Sequence, residues 1–165
     1  MGVAHKFGDN INTDYIIASK RKRDTVDPHK LAQYLMEDIR PGFGPQVKGG
    51  DFLVAGSNFG CGSAMEIAPL VVMAAGIRAV IAKSYARSFY RNAINLGLLV
   101  LEAGTDPIDD GDNLDVDQSG LIHNLTKGEK IRTRPFPSLI EEILDAGGII
   151  AYMEKKYPLP SLQTK

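Results

Sequence analysis

The sequence predicts an α/β domain: a mostly parallel central sheet flanked by helices, with an added β-hairpin region. Short apolar runs bounded by turn residues recur at Asp51–Gly56 (DFLVAG), Ala79–Ala82 (AVIA) and Leu98–Glu102 (LLVLE). Runs of this kind read as strands buried on both faces. The stretches between them have helical length and end in glycine. That alternation of strand and helix is the rhythm of a parallel sheet with covering helices. After it, Asp112–Ile131 breaks into short segments with polar turns at SGL and TKGE, which accounts for the hairpin region.

Taken in order, NINTD (residues 10–14) has turn composition, and Asp14 fits an Asx-turn or a helix cap. IIASKRKRD (residues 16–24) places consecutive cations before an acid. Such a run is either a solvated loop or a basic loop closing over an acidic substrate, where arginine forks grip carboxylates. Asp27–Met36 reads as a helix with Leu31, Tyr34 and Leu35 on one face. The next helix, from about Glu66 to Ala75, stops at Gly76 and carries Pro69 in its first turn, where proline is tolerated. Tyr85–Leu96 follows, with Ser84 as the expected N-cap and Gly97 after its end. On it, Arg87 and Arg91 share one face and Phe89, Tyr90, Ala93 and Ile94 another. The arginines read as solvated groups or as a face for a partner or carboxylate. Pro135–Ala146 is the last expected helix, closed by Gly147 and Gly148, and YPLPSLQTK (157–165) reads as a loose tail.

Length and composition bound the function. A chain of 165 residues with 44% hydrophobic and 24% charged residues supports one packed domain. We expect it over residues 1–155, with a tail at 156–165. Net charge −1 and pI near 6.3 argue against a general attraction to nucleic acid or anionic membranes. The longest apolar run is far too short to span a bilayer, and MGVAHKFGDN lacks the apolar core of a signal peptide, so the cytoplasm is the expected location. A single cysteine excludes an intramolecular disulfide and an iron–sulfur cluster held by this chain alone.

The most informative stretch is GSNFGCGSAMEIAP (residues 56–69). After the strand, Gly60 and Gly62 can adopt positive φ, so successive N–H groups can point into one concavity. The following helix adds the positive end of its dipole, and together these make a cradle for a phosphate or carboxylate. Ser63 sits where cradle meets helix, and its hydroxyl either caps the helix or points at a ligand. The segment fails three specific motifs. No lysine follows the last glycine as in a Walker A loop, and the spacing is neither G-x-G-x-x-G nor G-x-S-x-G. Cys61 has no histidine marked as its base, since His5, His29 and His123 are scattered.

Taken together, NFGCGS, E-x-A-P and G-I-x-A-V-I-A-K-S-x-A-R-x-F-Y-R-N-A-I-N-x-G-L resemble the small subunit of 3-isopropylmalate dehydratase. That family is related to the small subunit of homoaconitase and to the swivel domain of aconitase. The likeness runs from FGDNINTDYII at Phe7 to AGGIIAY at Tyr152. It implies a swivelling β/β/α domain with helices on the faces of its sheet. It implies no metal or cofactor on this chain and a large-subunit partner carrying a [4Fe–4S] cluster. The reaction implied is dehydration and rehydration of a 2-hydroxy dicarboxylic acid, with leucine biosynthesis as the setting. Ser63 matches the family's proton-abstracting serine and Asp14 an active-site acid. Lys20, with Arg21 and Arg23 close by, matches the substrate-binding arginine of the specificity loop. Asn58, Gly60, Cys61, Gly62, Ala64 and Met65 are the expected substrate-binding residues of the cradle. In isolation the chain is a possible homo-oligomer.

The sequence also departs from the pattern. The family reads GCGSSREHAP where this chain reads GCGSAMEIAP, so Ala64, Met65 and Ile67 replace a serine, an arginine and a histidine. Losing a charge-assisted contact of the arginine's kind costs about 1.5–3 kcal/mol. The cationic loop Lys20–Arg23 is the candidate replacement. A substituted malate of another type (dimethylmalate or homoaconitate) is therefore an alternative substrate, and a non-catalytic carboxylate-binding regulatory module is an alternative reading.

Overall fold

The structure, a computed structural model, describes residues 1–23 and 25–158. Its strands are β1 (Gly2–Lys6), β2 (Phe52–Ala55), β3 (Ala79–Ala82), β4 (Leu99–Glu102), β5 (Asn113–Val116), β6 (Ile122–Asn124) and β7 (Glu129–Ile131). They form a seven-stranded sheet in the order β4-β3-β2-β1-β5-β6-β7. The half from β4 to β1 is parallel, with Ala4 opposite Phe52, Phe52 opposite Ala79 and Ala79 opposite Leu99. The other half is antiparallel, joined where β1 pairs with β5. The fold class is the expected one, and it matches the two sequence halves: helical crossovers where strands run parallel, tight turns where they do not.

The helices are α1 (Thr13–Ile16), α2 (Pro28–Leu31), α3 (Ile67–Ala74), α4 (Arg87–Leu96), α5 (Ser138–Asp145) and α6 (Ile149–Lys156). Strands β2 and β3 are buried at every residue because both faces are covered. Leu53, Ala55, Val80 and Ala82 meet helical residues such as Val71, Val72, Phe89, Ala93 and Tyr152. Phe52, Val54, Ala79 and Ile81 instead meet Leu114, Val116, Ile122 and Ile131 of the antiparallel strands. Helices therefore cover one face, and the sheet's own second half covers the other.

Several elements differ from expectation. The helix expected over 27–36 lasts one turn and continues as a 3-10 turn at Ala32–Tyr34. Asp27 caps it at His29 N, and Met36, at φ 57°, donates its N–H to the Ile16 carbonyl. Burial of Leu31, Leu35 and Met36 in the core, each fully covered, overrides a straight helix. Ser84 does not cap α4, whose N-cap is Ala86 with no side-chain bond. Its hydroxyl accepts from Asn58 N instead. The helix expected from Pro135 begins at Ser138. β1, α1 and α6 were not anticipated. Lys156, assigned to the tail, closes α6, and the remainder of that tail from 159 lies outside the described residues, as does Asp24 of the basic loop.

Candidate functional site

Adjacent parallel strands β1 and β2 release their chains at the same edge of the sheet. Loop 7–12 leads from β1 into α1, and loop 56–66 leads from β2 into α3. Carboxyl ends of parallel strands are where α/β sheets place ligands, because the loops there diverge around a crevice.

The second loop is built on Phe59, which is fully buried and packs edge-on against Phe89 with ring centroids 5.1 Å apart. Its amide donates to Ser84 O, and its carbonyl accepts from Ala86 N. Next, Gly60 takes φ 77°, and a Cβ there would lie 2.2 Å from Phe89 Cγ, so only glycine fits. Its amide donates to Ile11 O at 2.7 Å, and Cys61 O accepts from Thr13 N at 2.8 Å. Gly62 takes φ 95° with its open side against Asn12 Oδ1, 2.5 Å from where a Cβ would sit. The positive φ values expected at Gly60 and Gly62 are both present.

These turns leave a run of backbone donors unused. Among the described residues, the N–H groups of Gly62, Ser63 and Ala64 donate to no acceptor, while Cys61 is bridged to Asn12 on the neighbouring loop. Ser63 and Ala64 are exposed, and the Ser63 hydroxyl makes no hydrogen bond among the described residues. Helix α3 starts only at Ile67, with Glu66 as an N-cap that makes no side-chain bond. Ser63 is therefore not the cap of α3, because residues 64–66 separate them. Of its two readings, the capping one is excluded. The carbonyl of Ser63 is held from behind, accepting from Thr13 Oγ1 at 3.0 Å and Met65 N at 2.9 Å.

Asp14 lies in the first turn of α1, where Asn12 Oδ1 caps its amide at 2.9 Å. The Asx-type cap is thus Asn12 and not Asp14. The Asp14 carboxylate accepts from Ser19 Oγ at 2.7 Å and faces Lys22 Nζ at 3.8 Å. Lys22 Nζ in turn lies 2.7 Å from Met65 Sδ. The basic loop therefore does reach the cradle, but through Lys22, which the sequence reading had not singled out.

The expected loop residues are held elsewhere. Arg21 forks onto Glu37 with Nε and Nη2 each 2.8 Å from a carboxylate oxygen, and its guanidinium lies over the Tyr34 ring. That fork holds the Glu37 carboxyl below its ordinary pKa, against the opposing effect of burial. Lys20 bonds Asp38 at 2.9 Å, which raises its pKa. Arg23 is exposed. Asn58, at φ 61°, spends its carboxamide on Asn10 Oδ1 and its amide on Ser84, so it shapes the cradle wall. Cys61 is half-buried. Gly62, Ser63 and Ala64 lie open at the surface, and the clefts of about 550 Å³ around Tyr90 and Arg134 and about 370 Å³ around Leu99 and Phe136 include none of the cradle's residues.

Against known proteins, residues 9–105 match the model of the aconitase C-terminal domain. This is the segment that carries both site loops. The 3-isopropylmalate dehydratase small subunit 1 of Archaeoglobus fulgidus is 54% identical over 92% of this chain and 95% of its own. The small subunit of the same name from Caldanaerobacter subterraneus is 51% identical over 94% and 98%. The chain belongs to the family of 3-isopropylmalate dehydratase small subunits. The fold agrees: the crystal structure of 3-isopropylmalate dehydratase (leuD) from Methanocaldococcus jannaschii superimposes with a TM-score of 0.90 at 47% identity, covering 94% of this chain and 93% of that one. As a small subunit of an aconitase-family hydro-lyase, the chain is one part of a heteromeric enzyme and implies a large-subunit partner. Among the described residues, no group of His, Cys, Asp and Glu side chains converges as metal ligands would, and no helix is long and apolar enough to cross a membrane.

Proposed function

We propose that this chain closes the active site of a two-subunit hydro-lyase acting on 3-isopropylmalate or a close relative, with Ser63 as its proton-abstracting base. The observation that carries this is the free Ser63 hydroxyl beside the unused amides of 62–64. A serine oxygen takes a proton from carbon only where donors stabilise its alkoxide form, and preorganised amides do so without reorganisation.

The large-subunit partner is proposed to hold a [4Fe–4S] cluster, which when bound supplies Lewis-acid activation of the substrate hydroxyl and carboxylate. The donor set of this chain fits that division, since its lone cysteine offers one thiolate. This chain's share is binding and proton transfer. Ser63 Oγ removes the proton from the carbon next to a carboxylate, and the electron pair of that bond becomes the double bond as the neighbouring hydroxyl departs. The proton is returned to the other carbon in the rehydration that completes the isomerisation. Asp14 is the proposed acid beside it. Gly60, Cys61, Gly62, Ala64 and Met65 form the cradle wall, and within it the amides of Gly62 and Ala64 are the backbone donors offered to a substrate carboxylate. The open surface requires the partner to exclude water. The cytoplasm is the proposed location.

A second substrate reading has its own observation. Lys22 places a cation, not an apolar group, against the cradle, which disfavours a branched alkyl substituent and favours a dimethylmalate- or homoaconitate-type substrate. The deciding experiment is an anaerobic reconstitution with the large subunit, screened with 3-isopropylmalate, dimethylmalate and homoaconitate. Turnover that needs both chains is expected. A cluster-loaded pair that turns over none of them would defeat the reading.

A further inference from the structure

The ammonium of Lys22 is poorly served. Its side chain is only 17% exposed, yet its one hydrogen-bond partner among the described residues is the Met65 thioether, a weak acceptor. The Asp14 carboxylate, at 3.8 Å, is beyond hydrogen-bond distance. A largely covered cation needs anionic oxygen around it. Among the described residues only the Asp14 carboxylate, at 3.8 Å, supplies it, while the neighbouring amides of Gly62, Ser63 and Ala64 also lack acceptors. Two independent sets of unsatisfied donors thus face one region from two loops.

The loop geometry makes this placement stable. Lys20 and Arg21 tie the outer side of the 3-10 turn Arg21–Arg23 to Asp38 and Glu37. Lys22, between them and Arg23, is turned to the opposite side, onto Met65. An arginine at 65 would bring a second cation to the same place, whereas the Met65 thioether touches the ammonium without neutralising its charge.

We propose that Lys22 is the carboxylate-gripping residue of this site, acting with the 62–64 amides, and that it supplies the cationic role the Met65 side chain cannot fill. This rests on the hydro-lyase reading for its substrate class, a 2-hydroxy dicarboxylate, but its test does not depend on turnover. The full chain is titrated with malate while the backbone amide resonances of residues 62–64 are followed by NMR, for wild type, Lys22→Met, Lys22→Arg and the remote control Lys48→Met. Malate should shift those amides in wild type. Lys22→Met should weaken the apparent affinity by about ten- to a hundredfold, the size of a lost charge-assisted hydrogen bond, while Lys22→Arg and Lys48→Met stay within about threefold of wild type. In the reconstituted complex, Lys22→Met should raise KM by a similar factor with a smaller change in kcat. Adding Met65→Arg to Lys22→Met should restore much of the loss, whereas Met65→Arg alone should impair binding through like-charge crowding.

Amides of 62–64 that ignore malate in wild type, or a Lys22→Met chain that binds as tightly as wild type, overturn the proposal. The two readings fail separately. An active complex indifferent to Lys22→Met sinks the lysine assignment alone. A Lys22-dependent malate response in a chain whose complex turns over no dicarboxylate sinks the hydro-lyase reading alone.

Discussion

Thr13 donates its hydroxyl to the carbonyl of Ser63 across 3.0 Å, which ties the first turn of α1 to the cradle. Thr13 is buried, and its amide holds Cys61 O as well. Thr13→Val keeps the shape and removes the hydroxyl donor. It should cost about 1 kcal/mol of stability. It should also lower turnover of the reconstituted complex, because Ser63 loses its rear support. Chemical denaturation and steady-state kinetics check the two effects, and a variant unchanged in both would show that the bond does no positioning.

Ser63→Ala removes the proposed base and nothing that the fold uses, since the hydroxyl makes no hydrogen bond among the described residues. Turnover in the complex should fall by at least about a hundredfold, the lower end of general-base contributions. Stability should stay within about 0.5 kcal/mol, as for other exposed substitutions. Size-exclusion chromatography should still show the assembled complex.

Gly62→Ala tests the cradle's backbone. Its φ of 95° strains any side chain, and the new Cβ meets the Asn12 carboxamide that caps α1 at Asp14. A loss of about 1–3 kcal/mol is expected from the strain. Asp14 should be displaced with its cap, so activity should fall further than the same loss of stability elsewhere would cause. Thermal melting and kcat/KM together separate the two.

Asp51 contributes to acid stability. Burial pushes its carboxyl pKa up, but His5 Nε2 and the amides of Lys48 and Val3, each 2.9 Å away, outweigh that and hold it below the ordinary 3.8. A pKa lower in the folded than in the unfolded chain contributes stability that is present above pH 3.8 and lost as pH falls through the folded value. Asp51→Asn should therefore cost about 1.5–3 kcal/mol at neutral pH. It should also flatten the stability profile below pH ~4. Urea midpoints measured from pH 7 downward would show it, and parallel wild-type and variant profiles would contradict it.

Much of the sheet was legible because physics leaves few options for a strand buried on both sides. Phe52–Ala55 and Ala79–Ala82 are apolar throughout, since each residue meets one core or the other. β1 was not legible: Ala4 is its only fully buried residue, and its central place comes from pairing with β2 and β5, which no local pattern encodes. α1 and the break that ends α2 after Leu31 were not legible for a similar reason, being set by packing on the core.

The sequence by itself determined the fold class, the family likeness and the backbone of the cradle, because the turn after β2 admits only glycine at positions 60 and 62. Tertiary structure alone decided which side chains and hydroxyls turn toward the cradle and which are held elsewhere. Lys20, Arg21, Lys22 and Arg23 are near equivalents as a string of cations. Only the 3-10 turn, with Glu37 and Asp38 on its outer side and Met65 on its inner side, sends Lys22 inward. Likewise Ser63 could cap a helix or face a ligand on sequence grounds, and the start of α3 at Ile67 leaves it free. Direction in space depends on partners distant in the chain, and those are fixed only when the sheet edge brings the loops of β1 and β2 together.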